Sequence, residues 1–97
     1  MNRLQNKVAI VTGANSGIGL RTAQLFAEEG AILVLCARRK EKLDEVAEAL
    51  RAQGSQVLSI AADVSREEDC VRVVEEAVKA FGRVDVLVNN AGMADKH

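Results

Sequence analysis

The sequence predicts an α/β fold: one domain over residues 1–97, with four parallel strands in the order 3-2-1-4, doubly wound by three helices. Three observations predict it. Short apolar runs alternate with longer segments of helical period. The runs are apolar throughout rather than at every second position, as strands covered on both faces are. Glycine punctuates the joins. The 97 residues are 48% hydrophobic and 28% charged, enough for one small globular core. Phe26 and Phe81 are the only aromatic residues, and there is no Tyr, Trp or Pro, so Val, Leu, Ile and Ala must build that core.

Residues 7–12 read as the first strand, apolar between Lys7 and Thr12. A helix follows from about Gly17 to Glu29, with Ile18, Thr22, Leu25 and Phe26 at core-facing spacing and Gly30 as its stop. The second strand spans Ala31 to Cys36. Arg39 to Gln53 is the clearest helix: Leu43, Val46, Ala47 and Leu50 mark one face, charged residues fill the rest, and Gly54 ends it. Val57 to Ala61 is the third strand. Ser65-Arg66-Glu67-Glu68 has capping-box spacing, and the helix after it carries Val71, Val74, Val78 and Phe81 before Gly82. Asp85 to Asn89 is the fourth strand, leading into Asn89-Asn90-Ala91-Gly92.

Right-handed crossovers place the first two helices on one sheet face and the third on the other. Strand order then reverses between strands one and four, the switch point at which open α/β sheets bind ligands. Two glycine-bearing turns end there. The first, Thr12-Gly13-Ala14-Asn15-Ser16-Gly17-Ile18-Gly19, joins a strand to a helix. A helix N-terminus offers unpaired N–H groups and the positive end of its dipole, and glycine lets a phosphate approach the backbone. The spacing is neither G-x-G-x-x-G nor a P-loop, since no Lys-Ser or Lys-Thr follows. Alone, it fits a nucleotide site or a plain tight turn.

Several function classes are disfavoured. A net charge of −1 and a pI near 5.8 give no support for nucleic acid or an anionic membrane as partner. The N-terminus is polar through Lys7 and the apolar run after it is too short to span a bilayer, so a cytoplasmic protein without signal peptide is expected. Cys36 and Cys70 read as free thiols in a strand and a helix. No His, Cys, Asp and Glu cluster has metal-ligand spacing, and His97, the sole histidine, sits at the C-terminus.

The three motifs Thr12–Gly19, Asp63-Val64 and Asn89-Asn90-Ala91-Gly92, in this order and at these separations, resemble the cofactor-binding portion of the short-chain dehydrogenase/reductase (SDR) family. The resemblance covers positions 7–92 and implies a partial Rossmann fold. It implies that Gly13, Ser16, Ile18 and Gly19 line a pyrophosphate, that Asp63 and Val64 contact adenine, and that Asn89, Ala91 and Gly92 sit beside the adenosine ribose. At the end of the second strand an acidic residue would select NAD; here Ala37 is followed by Arg38 and Arg39, whose guanidinium geometry suits a 2′-phosphate, so NADP is expected over NAD. Ser16 stands where the family's other basic residue would be. Arg38, Arg39 and Lys40 also fit a plain solvated helix start.

The family's chemistry also needs a Tyr-x-x-x-Lys pair, a Ser and a further Asn beyond the Asn-Asn-Ala-Gly turn, and the chain contains no tyrosine. The lysine lowers the pKa of the tyrosine, which acts as general acid or base. No catalytic residue is therefore assigned, and no hydride-transfer turnover is expected of this chain alone. Its expected role is the NADP(H)-binding portion of an oxidoreductase. The alternatives are a non-catalytic nucleotide-binding or partner-binding module and a structural α/β fragment that binds nothing. A fourth strand at the sheet edge leaves Val86, Leu87 and Val88 open to self-association or to a covering partner.

Overall fold

The computed structural model describes residues 3–15 and 17–90. Four strands, β1 (Val8–Thr12), β2 (Ile32–Ala37), β3 (Val57–Ala61) and β4 (Val86–Val88), alternate with three helices, α1 (Gly17–Glu28), α2 (Lys40–Ala52) and α3 (Glu67–Phe81). The sheet runs β3-β2-β1-β4 with every pairing parallel, as the alternation predicts. Val8 pairs with Ile32, Leu33 with Val57 and Ala9 with Val86 at the starts of the three ladders. Every residue of β1 is buried, and β2 nearly so, which explains why neither shows polar alternation. The second strand begins and ends one residue later than its apolar run suggests, and β4 is shorter, confined to Val86–Val88.

Strands β1, β2 and β3 split their side chains between two cores. Ala9, Val11, Leu33 and Leu35 meet Ala23 of α1 and Leu43, Ala47 and Leu50 of α2 on one face. Val8, Ile10, Val34, Cys36 and Ile60 meet Val73 and Ala77 of α3 on the other. The helices therefore divide two and one, as right-handed crossovers require when the winding direction reverses after β3.

Helix α2 buries the stripe its periodicity marks, but α1 and α3 are rotated from the expected faces. In α1 the buried residues are Gly19 and Ala23, with Phe26 and Ala27 partly packed, whereas Ile18 and Leu25 face outward. Small residues let this helix approach β1 closely. In α3 the buried pair is Val73 and Ala77, while Val71, Val74 and Val78 are 50%, 42% and 45% exposed. Both α3 stripes repeat at helical spacing and differ by about 100° of rotation. Periodicity alone cannot choose between them; the attachment of the first turn does. That turn also departs from the capping-box expectation: the cap position is Arg66, and the Ser65 hydroxyl donates to Asp63 Oδ1 at 2.6 Å instead.

At the opposite end of β4, Asp85 locks the outer strand to β1. Its N–H donates to Val8 O at 2.8 Å, and Val8 N–H donates to Asp85 Oδ2 at 2.9 Å. Arg83 Nε donates to the same carboxylate oxygen at 2.9 Å.

Candidate functional site

The carboxyl ends of four adjacent strands carry the candidate residues. Gly13 follows β1, Arg38 and Arg39 follow β2, Asp63 and Val64 follow β3, and Asn89 follows β4, so the sheet order sets these turns along one edge. Ile18 and Gly19 lie in the first turn of α1, which starts from the same edge. Ser16, Ala91 and Gly92 lie outside the described residues.

The turn into α1 is built by backbone constraints. Gly13 and Gly17 have φ of 62° and 59°, left-handed values that cost other L-residues roughly 1–2 kcal/mol. A Cβ on Gly19 would lie 2.0 Å from the Gly13 carbonyl oxygen, so only glycine permits this contact between turn and helix. A Cβ on Gly17 would meet nothing within 4 Å. The first turn of the helix carries no acidic side chain. Unpaired N–H groups and the helix dipole there favour an anion.

Thr12 ties the two turns of the switch point together. Its hydroxyl, buried at 5% exposure, accepts from Asn90 N–H at 2.8 Å. Its proton has two acceptors in reach, Asn89 Oδ1 at 3.1 Å and Val88 O at 3.4 Å. Ala14 N–H, donating to Cys36 O at 3.3 Å, extends the tie to β2. The Asn90 side-chain nitrogen Nδ2 is buried and has no hydrogen-bond partner among the described residues. Such a donor is costly to leave unmet.

Charge collects at the ends of β2 and β3. Asp63 Oδ1 accepts from Ser65 Oγ at 2.6 Å and from Ser65 N–H at 3.0 Å. These bonds hold its carboxyl below the usual range, with smaller help from Arg38 and Arg66 against partial burial. The side chains of Arg38 and Arg39 are exposed and make no hydrogen bond or ion pair among the described residues. A free guanidinium thus stands near Asp63 where a bound anion could reach it.

Asp69 and Arg72 were invisible as site residues in the sequence. Asp69 Oδ2 accepts from Asp63 N–H at 2.8 Å, and Arg72 Nη2 donates to Ala61 O at 2.8 Å. The available signal was an aspartate in the first turn of a helix, six residues after the motif aspartate. Neither cysteine is in a disulfide: the Cys70 thiol donates to Val64 O at 3.1 Å, and burial pushes the Cys36 thiol up to about 11. Among the described residues no group of His, Cys, Asp and Glu is arranged to hold a metal ion, and no helix is long and apolar enough to cross a membrane.

Comparison with known proteins gives one family. The family model described as short chain dehydrogenase matches residues 7–97. The 11-beta-hydroxysteroid dehydrogenase 1A of Arabidopsis thaliana is 53% identical over 91 residues, which are 93% of this chain and 26% of that protein. The solved L-sorbose reductase of Gluconobacter frateurii, complexed with NADPH and L-sorbose, superposes with a TM-score of 0.90 at 47% identity over 95% of this chain and 36% of its own. A short chain dehydrogenase/reductase of Burkholderia phymatum, in complex with NAD, gives a TM-score of 0.85 at 36% identity over 90% of this chain and 31% of its own. The chain spans about a quarter to a third of the length of these relatives.

Proposed function

The chain belongs to the short-chain dehydrogenase family, and from that membership we propose that it is the NADP(H)-binding portion of an oxidoreductase whose parent transfers hydride between a nicotinamide cofactor and a carbonyl or alcohol substrate. One observation carries the reading. An acid-free helix N-terminus starts from glycines of positive φ at the switch point, and an exposed guanidinium without a partner among the described residues stands at the end of the neighbouring strand. That donor set fits a dinucleotide: amides at Gly13, Ile18 and Gly19 for the pyrophosphate, Asp63 and Val64 for the adenine, Asn89 for the ribose. Ser16, Ala91 and Gly92 complete the set by their place in the motifs.

When bound, the nicotinamide supplies the hydride acceptor or donor. The residues of this chain bind and orient the adenosine half. They hold no proton for the carbonyl, since no tyrosine is present. The unit accordingly acts as a nucleotide-binding module that needs further protein for turnover. The open edge of β4, where Leu87 is 62% exposed, and the exposed valines of α3 each present apolar side chains that self-association or a covering partner would bury.

The NADP preference rests on Arg38, because a guanidinium pairs with a 2′-phosphate as a planar fork. Calorimetric titration with NADPH and NADH tests it. Wild type is expected to bind NADPH roughly tenfold or more tightly than NADH, a gap of about 1.4 kcal/mol that one charge-assisted contact can supply. Arg38→Ala is expected to abolish the difference. Equal affinities in wild type would overturn the preference, and no heat with either cofactor from a folded sample would overturn the binding reading.

A further inference from the structure

We propose that Asp69 is a positioning residue for the adenosine side of the site: from the first turn of α3 it holds the Asp63 backbone so that the free Asp63 carboxylate oxygen faces an incoming nucleotide. The inference rests on the dinucleotide reading above and assigns the loop between β3 and α3 its mechanism. Residues Ala62 to Arg66 leave the sheet at the carboxyl end of β3, and an exposed loop is ordinarily the most mobile part of such a site. Here it is held at each step. Ala62 N–H extends the strand ladder to Ala37 O at 2.9 Å, Asp63 N–H donates to Asp69 Oδ2 at 2.8 Å, and Arg66 N–H donates to Asp63 O at 2.9 Å.

Asp69 is suited to this by its own surroundings. Its side chain is 24% exposed, and Arg72, 3.7 Å away, holds it from the next turn. The same arginine donates to Ala61 O at 2.8 Å, two residues before Asp63 in the chain. One ion pair on α3 therefore grips the end of β3 at one carbonyl, Ala61 O, and one amide, Asp63 N–H. Asp63 then spends one carboxylate oxygen, Oδ1, on Ser65. Its other oxygen, Oδ2, makes no hydrogen bond among the described residues. A carboxylate with one oxygen anchored and one free is an oriented acceptor, matched to an amino donor such as an exocyclic base amine. Arg38 nearby offsets its charge, so the corner accepts a donor without repelling an adjacent phosphate.

The test uses the whole chain with 2′,5′-ADP and NADPH as probes, comparing wild type, Asp69→Ala and Asp69→Asn. Asn keeps a side-chain oxygen for the Asp63 N–H, and Ala does not. Asp69→Ala is expected to weaken both probes about tenfold, the scale of losing one charge-assisted hydrogen bond. Asp69→Asn is expected to stay within about threefold of wild type. The Asp63 amide proton should move upfield in the Ala variant and hold its shift in the Asn variant. Undiminished binding by folded Asp69→Ala, or an equal loss in both variants, would overturn the proposal while leaving the dinucleotide reading intact. Failure of wild type to bind either probe would overturn that reading and this inference with it.

Discussion

Gly19 shows how one missing side chain shapes the site. Its would-be Cβ lies 2.0 Å from Gly13 O, so Gly19→Ala must push the turn off the helix that it feeds. Overpacking of this kind costs about 1–3 kcal/mol or more. Gly17→Ala meets no atom and pays only for its φ of 59°, about 1–2 kcal/mol. Chemical denaturation should therefore rank Gly19→Ala as at least as harmful as Gly17→Ala. Cofactor titration should separate them further, because the first displaces the amides and the second intrudes only on the open space. The glycines of the motif were plain in the sequence. That each serves a different constraint was not, since a close contact between positions 13 and 19 exists only in three dimensions.

Asp85 carries the pH dependence. Arg83 first, and then the Val8 N–H, hold its carboxyl below the ordinary carboxylate range. Above the unfolded carboxylate value near 3.8 the folded state has this group ionised and gains the full stabilisation. As pH falls below about 4 the unfolded chain takes up the proton first, so stability rises with pH across that window and is lost below it. Asp63 and Asp44 are lowered too, by Ser65 and Ser59 respectively, and act in the same direction. Thermal melts from pH 6 down to pH 2 should show a falling midpoint, with a shallower fall for Asp85→Asn. A midpoint that rises on acidification would contradict the assignment.

At the scale of elements, α3 separates what a sequence pattern can say from what it cannot. Its length, its charged first turn and its stop at Gly82 were legible, because each depends on local chemistry. Its buried face was not. Val71, Val74 and Val78 are the larger residues at helical spacing, yet Val73 and Ala77 meet the sheet. The contacts that fix the rotation, Asp69 to the Asp63 amide and the Cys70 thiol to Val64 O at 3.1 Å, join residues whose pairing no periodicity announces. Val73→Ala is expected to cost roughly 2 kcal/mol in urea denaturation, whereas Val74→Ser should stay within about 0.5 kcal/mol. The reverse order would return α3 to the face its large residues suggest.

For the molecule as a whole, the alternation of apolar runs with helical segments was enough to order the sheet. Handedness of the crossovers then placed the switch point between β1 and β4. Of the candidate site, the sequence showed the places of Gly13, Ile18 and Arg38, because each follows a strand or opens a helix whose order the alternation predicts. Contacts between distant residues were not legible, as in the hydrogen bonds from the Asp63 amide to Asp69 and from the Asn90 amide to Thr12. The same architecture leaves Leu87 and the α3 valines exposed, and Leu87→Lys should lower any concentration-dependent mass seen by sedimentation equilibrium. An unchanged association constant in that variant would place the contact elsewhere.

On the function proposed above, the carboxyl edge of this four-stranded sheet holds the adenosine half of a dinucleotide. An amide-resolved NMR titration of the chain with NADPH tests it most directly. The perturbed amides are expected to cluster at Gly13, Ile18, Gly19, Arg38, Asp63, Val64 and Asn89, with Gly30 and Gly54 at the far ends of α1 and α2 unmoved. Saturable shifts centred on those far ends, or none at millimolar NADPH in a folded sample, would contradict it.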